Sequence, residues 1–227
     1  MKKRSKKYLE ATKLIEEDKI YSLDEGLEIA KKTATTKFDG SLEVHINLSL
    51  DPKVKQVVRG SAVLPAGSGK KVRICVFAAP DKQKEAKEAG AEIVGGEELV
   101  KEIKKTQKTD FDVAVATPEM MKTLAQIAKI LGQRGLMPNP KSETINPNPA
   151  KIVAELSKGK ITFKSDEQGN LHQMIGKISF EKSKLLENLK VFLEAVKKSF
   201  PKEGKPATIK SITLASTMGP GIKVQNK

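Results

Sequence analysis

Cysteine occurs once in the 227 residues, at Cys75. An intramolecular disulfide and a cysteine zinc cluster are therefore excluded, and a reducing interior fits. Tryptophan is absent and aromatic residues make up only 4% of the chain, too few for the rows of stacking rings on which single-stranded bases lie. No apolar run approaches the roughly 18 residues of a membrane span. The basic start, MKKRSKK, has no long apolar segment behind it, so it reads as a solvated terminus or a nucleic-acid arm. A soluble, cytoplasmic protein without membrane contact is expected. The two histidines, His45 and His172, each fall in or beside an expected strand without a second ligand at helical spacing. Strand-face histidines are expected there, with no metal and no cofactor. No nucleophile stands beside a recognisable base, so enzymatic chemistry is not expected.

What the chain does have is lysine. The net charge is +14, and Arg4, Arg59, Arg73 and Arg134 are the only arginines. A surplus of this size points to a polyanionic partner, because lysines that neutralise phosphates release condensed counterions. Lysine acts as a point charge, suited to backbone and shape recognition more than to forked reading of base edges. A lysine-rich surface serving solubility is the other reading. With 38% hydrophobic and 31% charged residues, the chain has the composition of a folded globular protein.

The pattern changes twice along the chain. Ser5 is expected to cap a helix reaching Glu17, and Ser22 with Glu25 forms a capping box for a helix ending near Lys32. Leu42, Val44, Ile46, Leu48 and Leu50 alternate with polar residues, the period of a half-buried strand, and Gln56–Leu64 reads as a second strand. The flexible run from Pro65 to Gly69 is a candidate linker. Beyond it, short apolar runs at Val72–Ala78, Ile93–Val94 and Phe111–Ala116 alternate with helical stretches at Asp81–Ala89, Glu97–Lys105 and Pro118–Leu131. That alternation predicts a small parallel sheet covered by helices. Thr117 is expected to cap the last of these helices and Gly132 to close it. After a long loop and a helix at Ala150–Ser157, strands are expected at Lys160–Lys164 and Gln173–Phe180 flanking a turn at Asp166–Asn170, then an amphipathic helix at Glu181–Ser199. The fold class expected is α/β with two domains. Residues 1–67 and 159–227 form a discontinuous α+β domain holding +10 of the +14 charge, and residues 68–158 form an inserted Rossmann-like domain.

Ser211–Val224, SITLASTMGPGIKV, reads as a strand, a Gly/Pro turn and a short strand. Its tip is either an ordinary hairpin with a buried methionine or a shaped polar and apolar platform for a ligand. Phe38, in a turn before the alternating strand, is either a loop anchor folded onto the core or an exposed contact. The stretch Gly67-Ser68-Gly69-Lys70 resembles the end of a P-loop, but Leu64 stands where the motif needs glycine and Lys71 where it needs a hydroxyl. A nucleotide- or phosphate-binding enzyme built on the middle domain, near Ser68–Lys71, is the competing reading. No G-x-G-x-x-G joins the first apolar strand of that domain to its helix, where Ala79-Pro80-Asp81 stands.

Three ordered stretches resemble one family. Leu131–Lys141, LGQRGLMPNPK, is similar to the signature loop of large ribosomal subunit protein one, the lateral-stalk family. Thr36-Lys37-Phe38-Asp39 before LEVHINL, and Ser216-Thr217-Met218-Gly219-Pro220, match the same family in the same order. Gln133 and Ala215 depart from it, standing where proline and a hydroxyl residue are usual. The resemblance implies a two-domain protein that binds a folded element of large-subunit rRNA, forms the mobile stalk and assists release of deacylated tRNA from the exit site. It also implies repression of its own operon by binding its mRNA, contact with other ribosomal components, and a monomer when free. The implied RNA-contacting residues are Thr36, Lys37, Phe38, Ser41, Glu43, Ser216, Thr217, Met218 and Gly219, with Lys164, His172 and Lys177 beside them. Their side-chain chemistry suggests the expected roles. Met218 packs on a nucleotide face, Thr217 and the Gly219 backbone meet 2′-hydroxyls, and Glu43 accepts from a base amino group or a ribose hydroxyl.

Overall fold

The computed structural model describes residues 4–16, 19–49, 57–140, 143–166, 168–200 and 208–225. The first helix, α1 (Lys6–Thr12), is capped by Ser5, whose Oγ accepts from the Tyr8 N–H. It stops short of the expected end. Thr12 Oγ1 bonds back to the Tyr8 carbonyl at 2.8 Å, and Leu14 and Ile15 tighten onto the carbonyls three residues before them, a local competition that ends helices. Glu17 lies outside the described residues. Helix α2 (Leu23–Lys32) opens with both bonds of the Ser22–Glu25 capping box. Strand β1 (Ser41–Ser49) buries Leu42, Val44, Ile46 and Leu48 in strict alternation; Leu50 is outside the described residues, as is Gln56 ahead of β2 (Arg59–Val63).

The middle of the chain forms β3 (Ile74–Phe77), α3 (Pro80–Glu88), β4 (Ile93–Gly95), α4 (Glu97–Thr106) and β5 (Val113–Ala116). The three strands are parallel, with β3 between the other two. The stretch expected as one helix from Pro118 is broken, with 3-10 turns at Pro118–Met120 and Ala125–Ile127 alternating with α5 (Met121–Leu124) and α6 (Ala128–Gln133). Met120, Leu124, Ile127 and Leu131 stay buried throughout, so apolar spacing marks the inward face but not the hydrogen-bond register. Thr117 flanks the first 3-10 turn without a side-chain capping bond. The stop is Gly135, at φ +70°, and not Gly132, which lies inside α6. The Leu136 N–H reaches the Leu131 carbonyl at 2.8 Å across it, a left-handed closure that favours glycine. Helix α7 (Pro149–Ser157) begins one residue ahead of expectation, with Asn148 capping it and Pro149 in its first turn.

The last segment supplies β6 (Lys160–Lys164), β7 (Asn170–Lys177), α8 (Lys182–Lys198), β8 (Thr208–Ser216) and β9 (Gly221–Val224). Strand β7 starts three residues before the expected Gln173 and ends at Lys177, leaving Phe180 in a turn. The cause is Asp166, whose carboxylate accepts from the Gln168 and Asn170 N–H groups and so closes the turn early.

Contacts divide the chain into two compact units, Met1–Gly69 with Ile161–Lys227, and Lys70–Lys160. In the first, an antiparallel sheet runs β7-β1-β8-β9, with β2 and β6 as a separate pair. Its core joins Leu27 and Ala30 of α2 and Leu185, Leu189, Phe192 and Val196 of α8 to the buried side of β1, β7, β8 and β9. The middle unit has its own apolar clusters on β3 and β5. Cys75 is fully buried in one of them, and burial pushes its thiol up to about 12, so it is unreactive.

Candidate nucleic-acid interface

Alternation on β1 turns Ser41, Glu43, His45, Asn47 and Ser49 away from the core, all half-buried. Antiparallel register sets a neighbour beside each. His45 lies between Thr213 of β8 and His172 of β7, Glu43 between Ala215 and Met174, and Asn47 between Ser211 and Asn170. A bulge between Leu42 and Glu43 shifts the β7 register, so that Lys177 joins Ser41 at one end of this face. The rows are linked by side chains. Asn47 Nδ2 donates to Asn170 Oδ1 at 2.6 Å, and the Nδ1 atoms of His45 and His172 lie 2.8 Å apart. Burial and the neighbouring His172 hold His45 below the ordinary imidazole range, against the pull of Glu43.

At the end of the face three chain segments meet. The Gly219 N–H donates to the Ser216 carbonyl at 2.8 Å, closing a β-turn whose third residue, Met218, has φ +63°. A left-handed conformation costs an L-residue about 1 kcal/mol. Met218 is nevertheless 78% exposed, so no packing of its side chain offsets that cost. Thr217 ties the turn to β1: its N–H and Oγ1 both reach the Ser41 carbonyl, and Oγ1 accepts from the Ser41 N–H at 2.8 Å. The loop before β1 is tied to the end of β7. Asp39 accepts from the Ser179 N–H and hydroxyl at 3.1 and 2.8 Å, and Lys177 Nζ donates to the Asp39 carbonyl at 3.2 Å. Gly40 sits in the crevice between, where a Cβ would meet Thr36 Oγ1 at 3.2 Å and Thr217 Cβ at 3.4 Å. Phe38 is 63% exposed on that loop. The result is a hydrogen-bonded rim carrying two large, exposed apolar side chains beside a polar sheet face.

A family model described as the Ribosomal protein L1p/L10e family matches residues 30–220. The chain belongs to that family. Large ribosomal subunit protein uL1 of Mycoplasma capricolum is 50% identical over 226 residues, 99% of this chain and 100% of that one. The protein of the same name from Mycoplasma mycoides is also 50% identical, over 99% of this chain and 100% of its own. The one from Thermosipho melanesiensis is 48% identical over 225 residues, 99% of this chain and 97% of its own. As a member of the L1p/L10e family the chain is a structural constituent of the large ribosomal subunit and not an enzyme.

Within this L1p/L10e protein, the rim brings together Thr36, Lys37, Phe38, Ser41, Thr217, Met218 and Gly219, with Lys177 beside them. Glu43 and His172 lie along the same face. Lys164 is exposed on β6, in the separate strand pair. Ser216 is 4% exposed and lies under the turn, where a Cβ on Gly219 would come within 2.2 Å of its Oγ. Asp39, Gly40 and Ser179 were not legible as site residues; an Asp-Gly pair directly before a strand was the available signal. The hydroxyl of Thr217 is committed inside the protein, so this residue positions the turn.

The competing site near Ser68–Lys71 has the wrong geometry. A P-loop leads into a helix whose N-terminus faces the phosphates, whereas here the chain runs into β3. Lys70 Nζ donates to Asp112 Oδ1 at 3.2 Å, and the Arg73 N–H to Asp112 Oδ2 at 3.1 Å. The Arg73 backbone N–H and the Lys70 ammonium hold the Asp112 carboxyl below its ordinary range. A cavity of about 800 Å³ opens beyond the ends of β3 and β4, but Glu97, Glu98 and Glu102 line it against one lysine, Lys101. An anionic nucleotide would meet net repulsion there.

Proposed function

We propose that this protein binds a folded element of large-subunit rRNA with the rim and the β1/β7/β8 face, and through it forms the mobile lateral stalk of the cytoplasmic ribosome. The observation that carries this reading is Met218, held at positive φ and exposed by a turn that Thr217 locks to Ser41. Strain combined with exposure of a large apolar side chain is favoured only where a ligand covers it. Met218 and Phe38 then pack on sugar or base faces, each burial contributing about 1.5 to 3 kcal/mol. Glu43 accepts from a base amino group or ribose hydroxyl, which excludes partners lacking that donor. The Gly219 N–H and the Thr217 hydroxyl are engaged internally, so 2′-hydroxyls are met by the carbonyl oxygens of the turn. Lys37, Lys164, Lys177 and His172 supply phosphate contacts. The same surface takes an operon mRNA segment that imitates the ribosomal site, and the assembled stalk assists release of deacylated tRNA from the exit site. Free of RNA, the chain is a monomer.

Binding of the full chain and of Met218→Asp to the stalk segment of large-subunit rRNA and to an unrelated hairpin, at several salt concentrations, tests this. Selective binding that survives moderate salt and collapses in Met218→Asp is expected. Equal binding of both RNAs, indifferent to Met218, would reduce the face to a merely basic surface. Competition by the operon mRNA for the same site checks the repressor role.

A further inference from the structure

The paired histidines lie in the middle of the proposed RNA face, and their geometry constrains their protons. At 2.8 Å between Nδ1 atoms, two neutral imidazoles fit only if one Nδ1 carries hydrogen and the other accepts. Glu43 Oε2 lies 3.9 Å from His45 Nε2, which favours hydrogen on that nitrogen and leaves His45 Nδ1 as the acceptor. His172 is then the donor through Nδ1, and its Nε2 is bare. One proton added to that Nε2 leaves the pair intact and turns its ordinary hydrogen bond into a charge-assisted one. A second, on His45, would set two N–H groups against each other.

We propose that His172 and His45 form a proton-linked anchor for the RNA backbone, in which a docking phosphate diester is met by one proton taken from solvent onto His172 Nε2. His45 is the positioning residue that fixes the His172 tautomer. This rests on the RNA reading above and adds to it the protonation state of the contact. The bare Nε2 belongs to the outer, exposed ring, and burial with His172 itself holds His45 below the ordinary imidazole range, in the same sense. The neighbouring groups are few. Glu43 faces the pair from β1, Thr213 from β8 is uncharged, and Lys223 of β9 lies one strand beyond Thr213. Asp166, in the turn before β7, accepts from the N–H groups of Gln168 and Asn170 and from the Asn170 side chain, and its carboxylate also attracts a charge on His172. The sheet's other side is covered by α2 and α8.

The test is the affinity of the full chain for the stalk segment of large-subunit rRNA at pH 8, 7 and 6 and fixed ionic strength. Calorimetry at pH 7 in two buffers of different ionisation enthalpy counts the protons taken up. Wild type is expected to bind about tenfold more tightly at pH 6 than at pH 8, since imidazoles titrate in that interval and one proton allows at most about tenfold per pH unit. His172→Gln should show a flat profile between about pH 6 and 8 and bind more weakly than wild type at pH 6 by at least the roughly tenfold that the added proton contributes there. His45→Gln, whose carbonyl accepts the same Nδ1–H, should keep the slope, and His45→Val should fall between. A slope in His172→Gln equal to that of wild type, or binding without proton uptake in wild type, overturns the inference while leaving RNA binding in place. Failure to bind this RNA at any pH would instead remove the function on which it rests.

Discussion

Met218 separates stability from function because it stands where glycine would be at ease. Its φ of +63° and its exposure mean that the side chain contributes nothing to the core. Met218→Gly should therefore raise stability by about 1 kcal/mol in urea unfolding, the relief of left-handed strain exceeding the extra freedom of the unfolded chain. The same variant should weaken stalk RNA binding at least tenfold, because about 1.5 kcal/mol or more of apolar burial is lost. A less stable variant would count against the first statement, and one that binds as well as wild type against the second. The residue pattern foretold an unusual turn here but left open whether Met218 was buried. What decided it was tertiary: Thr217 spends its hydroxyl on Ser41, which is distant in sequence and adjacent only once β1 and β8 have paired.

At the scale of elements, α2 shows how a local rule is overridden by packing. Gly26 lies inside the helix, where alanine is ordinarily better by about 1 kcal/mol. A Cβ there would meet Val224 Cγ1 at 2.4 Å, so Gly26→Ala should lower the unfolding midpoint, with overpacking costing about 1 to 3 kcal/mol. Adding Val224→Ala makes room, and the double variant should recover most of the loss relative to Val224→Ala alone. The same helix carries a pH signature. Hydrogen bonds from the Ser22 backbone and hydroxyl hold the Glu25 carboxyl below its ordinary range. A depressed folded value means the cap stabilises fully above the ordinary glutamate value of about 4.3 and loses that effect as pH falls through the lower folded value. The stability gap between wild type and Glu25→Gln should thus be constant at pH 6 to 8 and shrink in acid titration below about pH 4. Elements with strong local signals, such as this capping box and the alternation in β1, were legible from sequence. The start of β7 was not, because Asp166 closes its turn early, and neither was the break after Pro118, because the apolar spacing continues through it.

For the whole molecule, charge and shape make different contributions to the proposed RNA contact, and salt distinguishes them. Residues 1–67 and 159–227 hold +10 of the net +14 charge, and the exposed rim lies within them. Each phosphate neutralised by a lysine releases a counterion, so affinity falls with salt in proportion to the number of such contacts. Lys37 is exposed on the rim loop beside Phe38. Lys37→Ala should lower affinity for stalk RNA and for an unrelated hairpin alike, reduce the slope of log affinity against log salt by about 1, and leave their ratio unchanged. Met218→Gly should do the reverse, leaving the slope as in wild type and collapsing the ratio, because an uncharged side chain releases no counterion. Binding curves for both RNAs at four salt concentrations read slope and ratio together. Should Lys37→Ala abolish selectivity, or Met218→Gly flatten the slope, the division of labour between a lysine-rich surface that attracts and a strained apolar rim that discriminates would be wrong.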